Sequence, residues 1–262
     1  MWTFDDFDAW GDAVSGASLR LACDGIERRS WTLGLVDLGG VVVQMATEGG
    51  GTICYGGNTH PGTMLFLPLT HAAEHVVNGE PLDDASLFVI PRDADFRIHV
   101  HKRAHAWCSI ALPDDERWRG AATTSGRLTC GGDAITRLRG LVTGVVESLA
   151  DRPPGSAAHR AAARDVLAAA AACLPQEEDD QPAAGRRRLD RGEIVRRAMV
   201  AIDEAAVVPT AAAAGVTSRT LLRTFREAFG TSPKRYLILR ELHAVRRSLR
   251  DAMSNDATVA DI

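Results

Sequence analysis

Cysteine is scarce and scattered. The five residues Cys23, Cys54, Cys108, Cys130 and Cys173 are odd in number and no two are close in sequence. That spacing excludes a disulfide framework and a Cys-x-x-Cys metal knuckle, and it leads us to expect reduced thiols in a cytoplasmic protein. Long apolar runs are also missing. Nothing approaches the roughly 18 residues of a membrane span, and the Ala-rich stretch from Val166 to Leu174 is too short for one. The first residues, Met1-Trp2-Thr3-Phe4-Asp5-Asp6, are acidic and lack the basic-then-apolar order of a secretory signal. Gly49-Gly50-Gly51 and Gly56-Gly57 have no Lys-Ser or Lys-Thr pair after them, so they read as turns and not as phosphate loops. Ser109 and Ser125 lack the surroundings of a nucleophile elbow. No catalytic residue is assigned, and the chain is not expected to be an enzyme.

An overall excess of positive charge is likewise absent, since the formal charge is −4. The charge is unevenly placed, however. The stretch from Arg186 to Arg250 carries 15 Lys+Arg against 6 Asp+Glu, a local net of +9, and the remainder carries −13. An acidic front and a basic back suggest that the back meets an anion such as nucleic acid.

The 262 residues are enough for two modest domains, and 45% of them are hydrophobic. Residues 17–112 read mainly as short strands, such as Trp31 to Val36, Gly40 to Met45 and Leu87 to Ile90, broken by Gly, Pro, Asp and Asn. Asn78-Gly79 signals a tight turn, and Phe96 to His101 alternates with period two, as a half-buried strand does. Helical spacing begins near Asp133, with Ile135, Leu138, Leu141, Val142, Val145 and Leu149, and an Ala-rich helix follows from about Ala157 to Leu174. The charged, proline-flanked run from Pro175 to Pro182 and Arg186-Arg187-Arg188 mark a linker. The expected organisation is a β-rich domain with C-terminal helices at 1–174, a linker at 175–189, and an all-α domain at 190–262, an α+β chain overall.

The all-α part has a telling order. Ile194, Ala198 and Ile202 share one face of a helix from Arg191 to Ala205. A very short helix, Thr210 to Ala214, ends at Gly215, and Val216 is placed to plug the gap between crossing helices. Thr217 caps a longer helix that ends at Gly230. On that helix Leu221, Phe225, Ala228 and Phe229 form an inward stripe, and Arg219, Leu222, Arg223 and Arg226 form an outward one. A short helix, a Gly turn and a longer helix with an arginine face make a helix-turn-helix, whose second helix enters the major groove. Another helix, from about Pro233 to Arg250, is expected to bury Ile238, Leu242, Val245 and Leu249. Its stripe of Arg240, His243, Arg247 and Arg250 is expected to brace the unit or graze phosphates.

Gly215-Val216-Thr217-Ser218-Arg219-Thr220-Leu221, then Phe225, Gly230, Ser232-Pro233, Tyr236, Leu242, Arg246 and Leu249, resemble the AraC/XylS class of bacterial transcription regulators. The resemblance covers about Arg191 to Ile262. It implies two helix-turn-helix motifs joined by a long helix, here 233–250. The second motif opens in that family with a Val-Ala-Asp-Ile-Ala pattern. This sequence reads Thr258-Val259-Ala260-Asp261-Ile262 and stops there, so nearly all of the second motif is expected to be missing. Thr210 departs from the family's usual Leu. The resemblance places Arg219, Leu222 and Arg223 at base-contacting positions, and Ser218 and Thr220 at phosphates. Arg226 and Lys234 are assigned phosphate contacts as well. It also implies an N-terminal cupin-like β-barrel that binds an effector or dimerises.

The expected partners are double-stranded DNA, a second copy of the chain through the helices at 133–150 and 157–174, a small-molecule effector and RNA polymerase, with no membrane and no cofactor. The alternative is a cupin-type metal-dependent enzyme or small-molecule binder with a structural helical tail. His99 and His101 share a strand face with His105 nearby, but no Asp or Glu lies between His101 and Asp114. They therefore read as a polar outer face, and no metal is assigned. His60, His71 and His75 read as core or surface residues. Trp107 and Trp118 read as aromatic core.

Overall fold

Segments such as Met64–Pro68 and Ser86–Ile90 are buried at every position, not at every second one. That pattern belongs to sheets covered on both faces. The computed structural model describes residues 1–119, 125–174, 191–205, 208–209 and 211–254. Its strands are β1 (Trp2–Phe4), β2 (Ala17–Cys23), β3 (Trp31–Asp37), β4 (Val42–Glu48), β5 (Thr52–Asn58), β6 (Met64–Pro68), β7 (His75–Val77), β8 (Glu80–Pro81), β9 (Ser86–Ile90), β10 (Asp95–Val100), β11 (His105–Ala111) and β12 (Gly126–Thr129). Its helices are α1 (Phe7–Ala13), α2 (Glu116–Arg119), α3 (Gly132–Leu149), α4 (Ala157–Ala172), α5 (Arg191–Ala205), α6 (Ala211–Ala214), α7 (Ser218–Phe229) and α8 (Pro233–Ser254). The chain is α+β, with an antiparallel β-rich part followed by helices. Short elements outside the expected 17–112 strand region, β1, α1 and β12, extend the β-rich part at both ends. The expected linker, Thr210 and Thr258 to Ile262 lie outside the described residues.

The strands form two sheets. One has the order β1-β3-β4-β11-β6-β9-β12 and the other β2-β5-β10-β7-β8. They face each other across a core that includes Trp10, Trp31, Phe66, Phe88, Phe96 and Trp107. On its outer side the larger sheet presents Val43, Leu65, Leu67 and Ile110 to Leu138 and Val142 of α3, with Val166 and Ala170 of α4 in the same cluster. On its outer side the smaller sheet presents Ala22, Ile53 and Tyr55 to α5, α7 and α8. The layers therefore run helix, sheet, sheet, helix. Each fully buried Leu or Phe stabilises this stack by about 1.5–3 kcal/mol relative to exposure. Asn78 (φ 52°) and Gly79 (φ 85°) both take the left-handed backbone that a two-residue hairpin turn requires, and they join β7 to the short β8.

Two expectations are overturned here. The strand at Phe96 to His101 was expected to be half-buried with His99 on a polar outer face. Instead five of the six residues of β10 are buried, and His99 is 7% exposed, because α7 covers that face. The second case is α8. Leu242 and Val245, expected in the core, are 59% and 54% exposed, and Ile238 is also exposed. The face turned inward carries Tyr236, Leu239, Arg240, His243, Arg246 and Arg250, which meets acidic groups on neighbouring elements.

Candidate nucleic-acid interface and buried cavity

The turn before α7 is built from local hydrogen bonds. Gly215, at φ 69°, donates its N–H to the Ala212 carbonyl at 3.0 Å, and Val216 donates to Ala211 at 3.0 Å. Val216 packs against the helical core beside it. The Thr217 hydroxyl accepts the Thr220 N–H at 3.2 Å, capping α7. Gly230, at φ 67°, closes the helix, and its N–H donates to the Arg226 carbonyl at 2.8 Å.

Between these caps the two faces of α7 separate cleanly. Leu221, Phe225, Ala228 and Phe229 are all buried, and Phe225, Phe229 and Tyr236 pack with ring centroids 4.6–5.6 Å apart. Ser218, Arg219, Leu222, Arg223 and Arg226 are exposed, as is Lys234 in the first turn of α8. Thr220 is half-buried, and its hydroxyl is engaged with that of Thr217 at 2.9 Å. Arg223 leans toward Glu227 at 3.8 Å, which also draws Arg191 at 3.5 Å. The structure thus gathers the sequence-assigned residues on and beside one solvent-facing helix surface.

Helix α7 is seated on the smaller sheet through a residue that sequence reasoning placed at the surface. His99 Nδ1 lies 3.3 Å from the Ala228 carbonyl, and its ring lies against Gly230. The backing of α8 is electrostatic. His243 Nε2 accepts the Cys23 N–H at 3.1 Å, which leaves its Nδ1–H to donate to Asp8 at 3.1 Å. Arg246 bonds Asp6 and lies 3.4 Å from Asp8, Arg250 bonds Asp6 at 2.8 Å, and Arg235 bonds Asp24 at 2.9 Å. Burial would raise the Asp8 carboxyl, but His243, Arg247 and Arg246 around it hold it below the usual carboxylate range. These contacts make α8 a brace, with Arg235, Arg240, Arg246 and Arg250 all committed to carboxylates.

A second feature lies between the sheets, a cavity with about 60 Å³ of free space for water-sized groups. Its walls are largely apolar, with Leu19, Met64, Phe66, Phe96 and Ile98 among them. One end is polar. Glu48 accepts hydrogen bonds from Trp107 Nε1 and the Thr52 hydroxyl, and His105 Nε2 stands 3.7 Å from its Oε1. Burial works against both charges, yet the contact between the two groups favours them, pulling Glu48 below its ordinary range and His105 above. His75 stands edge-on to His105 with centroids 4.7 Å apart, and burial together with the neighbouring His105 charge pushes its pKa down to about 3. The sequence-level grouping of His99, His101 and His105 therefore does not assemble. His101 is exposed and paired with Glu74 at 3.0 Å, and His105 faces the interior. Glu48 escaped sequence reasoning. The available signal was period two along β4, which puts Gln44, Ala46 and Glu48 on one inward face. Trp107 lines this cavity, while Trp118 sits in the core under α3. Among the described residues no group of three His, Cys, Asp or Glu is arranged to hold a metal ion, and no helix is long and apolar enough to cross a membrane.

No family model matches the chain, and no curated protein matches it. Among solved structures, the AraC-like transcriptional activator CuxR aligns over 99% of this chain and 97% of its own, at 14% identity and a TM-score of 0.45. ToxT from Vibrio cholerae O395 aligns over 86% of this chain and 98% of its own, at 9% identity and a TM-score of 0.27. Both likenesses are too distant to bear on the role of any residue.

Proposed function

We propose that the chain is a sequence-specific DNA-binding transcription regulator of the AraC/XylS class, with α7 as its recognition helix and the N-terminal part as a cupin-like effector and dimerisation domain. One observation carries this reading. Arg219, Leu222, Arg223 and Arg226 are exposed on one face of a helix whose opposite face is fixed in a core and whose start follows a Gly turn. Arginine donates two hydrogen bonds to guanine O6 and N7, each good pair contributing about 1–3 kcal/mol of discrimination. Leu222 has no polar atom to offer and is suited to a thymine methyl. Ser218, Thr220, Arg226 and Lys234 lie beside this face, where phosphates would pass. A homodimer joined through α3 and α4 would link two such contacts and raise their effective concentration.

The test is fluorescence anisotropy with the promoter DNA upstream of the protein's own gene and a scrambled duplex, at near-physiological salt. Arg219→Ala/Arg223→Ala is expected to abolish the preference for the promoter. Arg226→Ala or Lys234→Ala is expected to weaken binding to every duplex alike, with a shallower salt dependence. An unchanged preference in the double variant would remove α7 from the reading. A monomer mass that does not change with concentration would remove the dimer.

A further inference from the structure

Hydrogen-bond accounting inside the cavity points to the kind of molecule that fits it. In the middle, Gln44 is engaged at both its carbonyl and its amide. Its carbonyl takes the Ser15 N–H at 3.0 Å, and its amide donates to the Ser109 hydroxyl at 3.3 Å. A buried nitrogen without a partner stands at the Glu48 end. The His105 Nδ1–H is used on the Arg103 carbonyl at 3.1 Å, and its Nε2 is buried without a hydrogen-bond partner. The 3.7 Å gap from Nε2 to Glu48 Oε1 is too long for a hydrogen bond and suits a bridging oxygen. An oxygen placed there accepts from the Nε2–H of the imidazolium and donates to the carboxylate, so it must carry a proton.

A carboxylate or phosphate at that position would meet the buried Glu48 charge, so the head group is uncharged. The walls beyond it are apolar and aromatic, with Phe66 and Trp107 centroids 5.7 Å apart. The free space of about 60 Å³ admits on the order of five water-sized groups. We propose that the cavity between the sheets recognises a small uncharged hydroxyl compound, a phenol or short-chain alcohol, whose hydroxyl bridges Glu48 and His105. This deepens the effector reading and rests on it.

The test is calorimetry on the full chain without DNA, using phenol, butan-1-ol, toluene and benzoate. At least one of phenol and butan-1-ol is expected to bind, and the tighter of them tells an aromatic body from an aliphatic one. Toluene, which lacks the hydroxyl, is expected to bind about tenfold to a hundredfold more weakly, since the hydrogen bond goes to a charged group. Benzoate is expected not to bind. Glu48→Gln should narrow the gap between phenol and toluene while leaving toluene unchanged. Val14→Trp, at the cavity wall, should abolish binding of phenol, butan-1-ol and toluene and serves if Glu48→Gln does not fold. Toluene binding as tightly as phenol, benzoate binding best, or no binding by any of the four would overturn the proposal. So would binding that survives Val14→Trp. Hydroxyl binding that leaves DNA affinity unchanged in anisotropy would instead count against the effector reading and leave the site standing.

Discussion

Gly230 ends α7, lies against His99 of the smaller sheet, and leads the chain into α8. Replacing it by alanine adds one methyl group and two separate costs. Its backbone sits at φ 67°, where an L side chain costs about 1–2 kcal/mol. The new Cβ would also stand 3.0 Å from His99 Cδ2 and 3.1 Å from its Nε2, closer than ordinary contact. His99 cannot swing away freely, because it is buried and tied to the Ala228 carbonyl. Relieving that crowding costs on the order of a further 1 kcal/mol. Gly230→Ala should therefore destabilise the protein by about 2–3 kcal/mol. In a His99→Ala background the crowding disappears, and the same change should cost only the backbone share. Urea unfolding of the four proteins, extrapolated linearly with an unchanged slope, closes the cycle. An equal cost in both backgrounds would refute the seating of α7 on β10, and a Gly230→Ala cost below about 0.5 kcal/mol would refute the left-handed cap itself.

Thr217→Ala removes the hydroxyl that accepts the Thr220 N–H, and it should lower stability by about 0.5–2 kcal/mol in the same unfolding assay. Thr217→Ser should recover most of that loss, because it keeps the accepting oxygen. Asp8 gives a pH signature. Its carboxyl is held below the ordinary value of 3.8 in the folded state, so its stabilising contribution is present above that value and is lost as pH falls through the lower, folded one. The stability gap between the wild type and Asp8→Asn should thus be wide near pH 5 and shrink toward pH 3. A gap of constant size would mean that the ion contacts of Asp8 with His243 and Arg246 of α8 do not stabilise the fold.

How far the sequence could be read depended on how far apart the deciding residues lie. The helices Arg191–Ala205 and Ser218–Phe229 fall where spacing and caps place them, because Thr217, Gly230 and the inward stripe all sit within one short window. The exposed arginine face was legible for the same reason. Glu48, His75 and His105 were not, since they come from β4, β7 and β11 and meet only through the sheet register and the facing of the two sheets. His99 was read as a surface residue because nothing near it in sequence reveals that α7 will lie over it. Period two identifies the two faces of a strand. It cannot say whether a second layer covers the outer one.

Helix α8 shows the stronger form of this limit. Counting apolar residues assigns Ile238, Leu242 and Val245 to the core, and hydrophobic burial would favour that choice by about 1.5–3 kcal/mol per side chain. The alternative rotation brings His243, Arg246 and Arg250 against Asp6 and Asp8, and Asp8 is 7% exposed. Turning α8 to hide its apolar stripe would leave that carboxylate buried without a countercharge, and breaking a buried pair by removing one partner costs about 3–5 kcal/mol. It would also cut the Cys23 N–H to His243 bond and separate Arg240 from Asp203. The orientation of α8 is thus decided by charges on α1 and α5 and on the segments flanking α1 and β2, and a pattern read along α8 alone contains none of them.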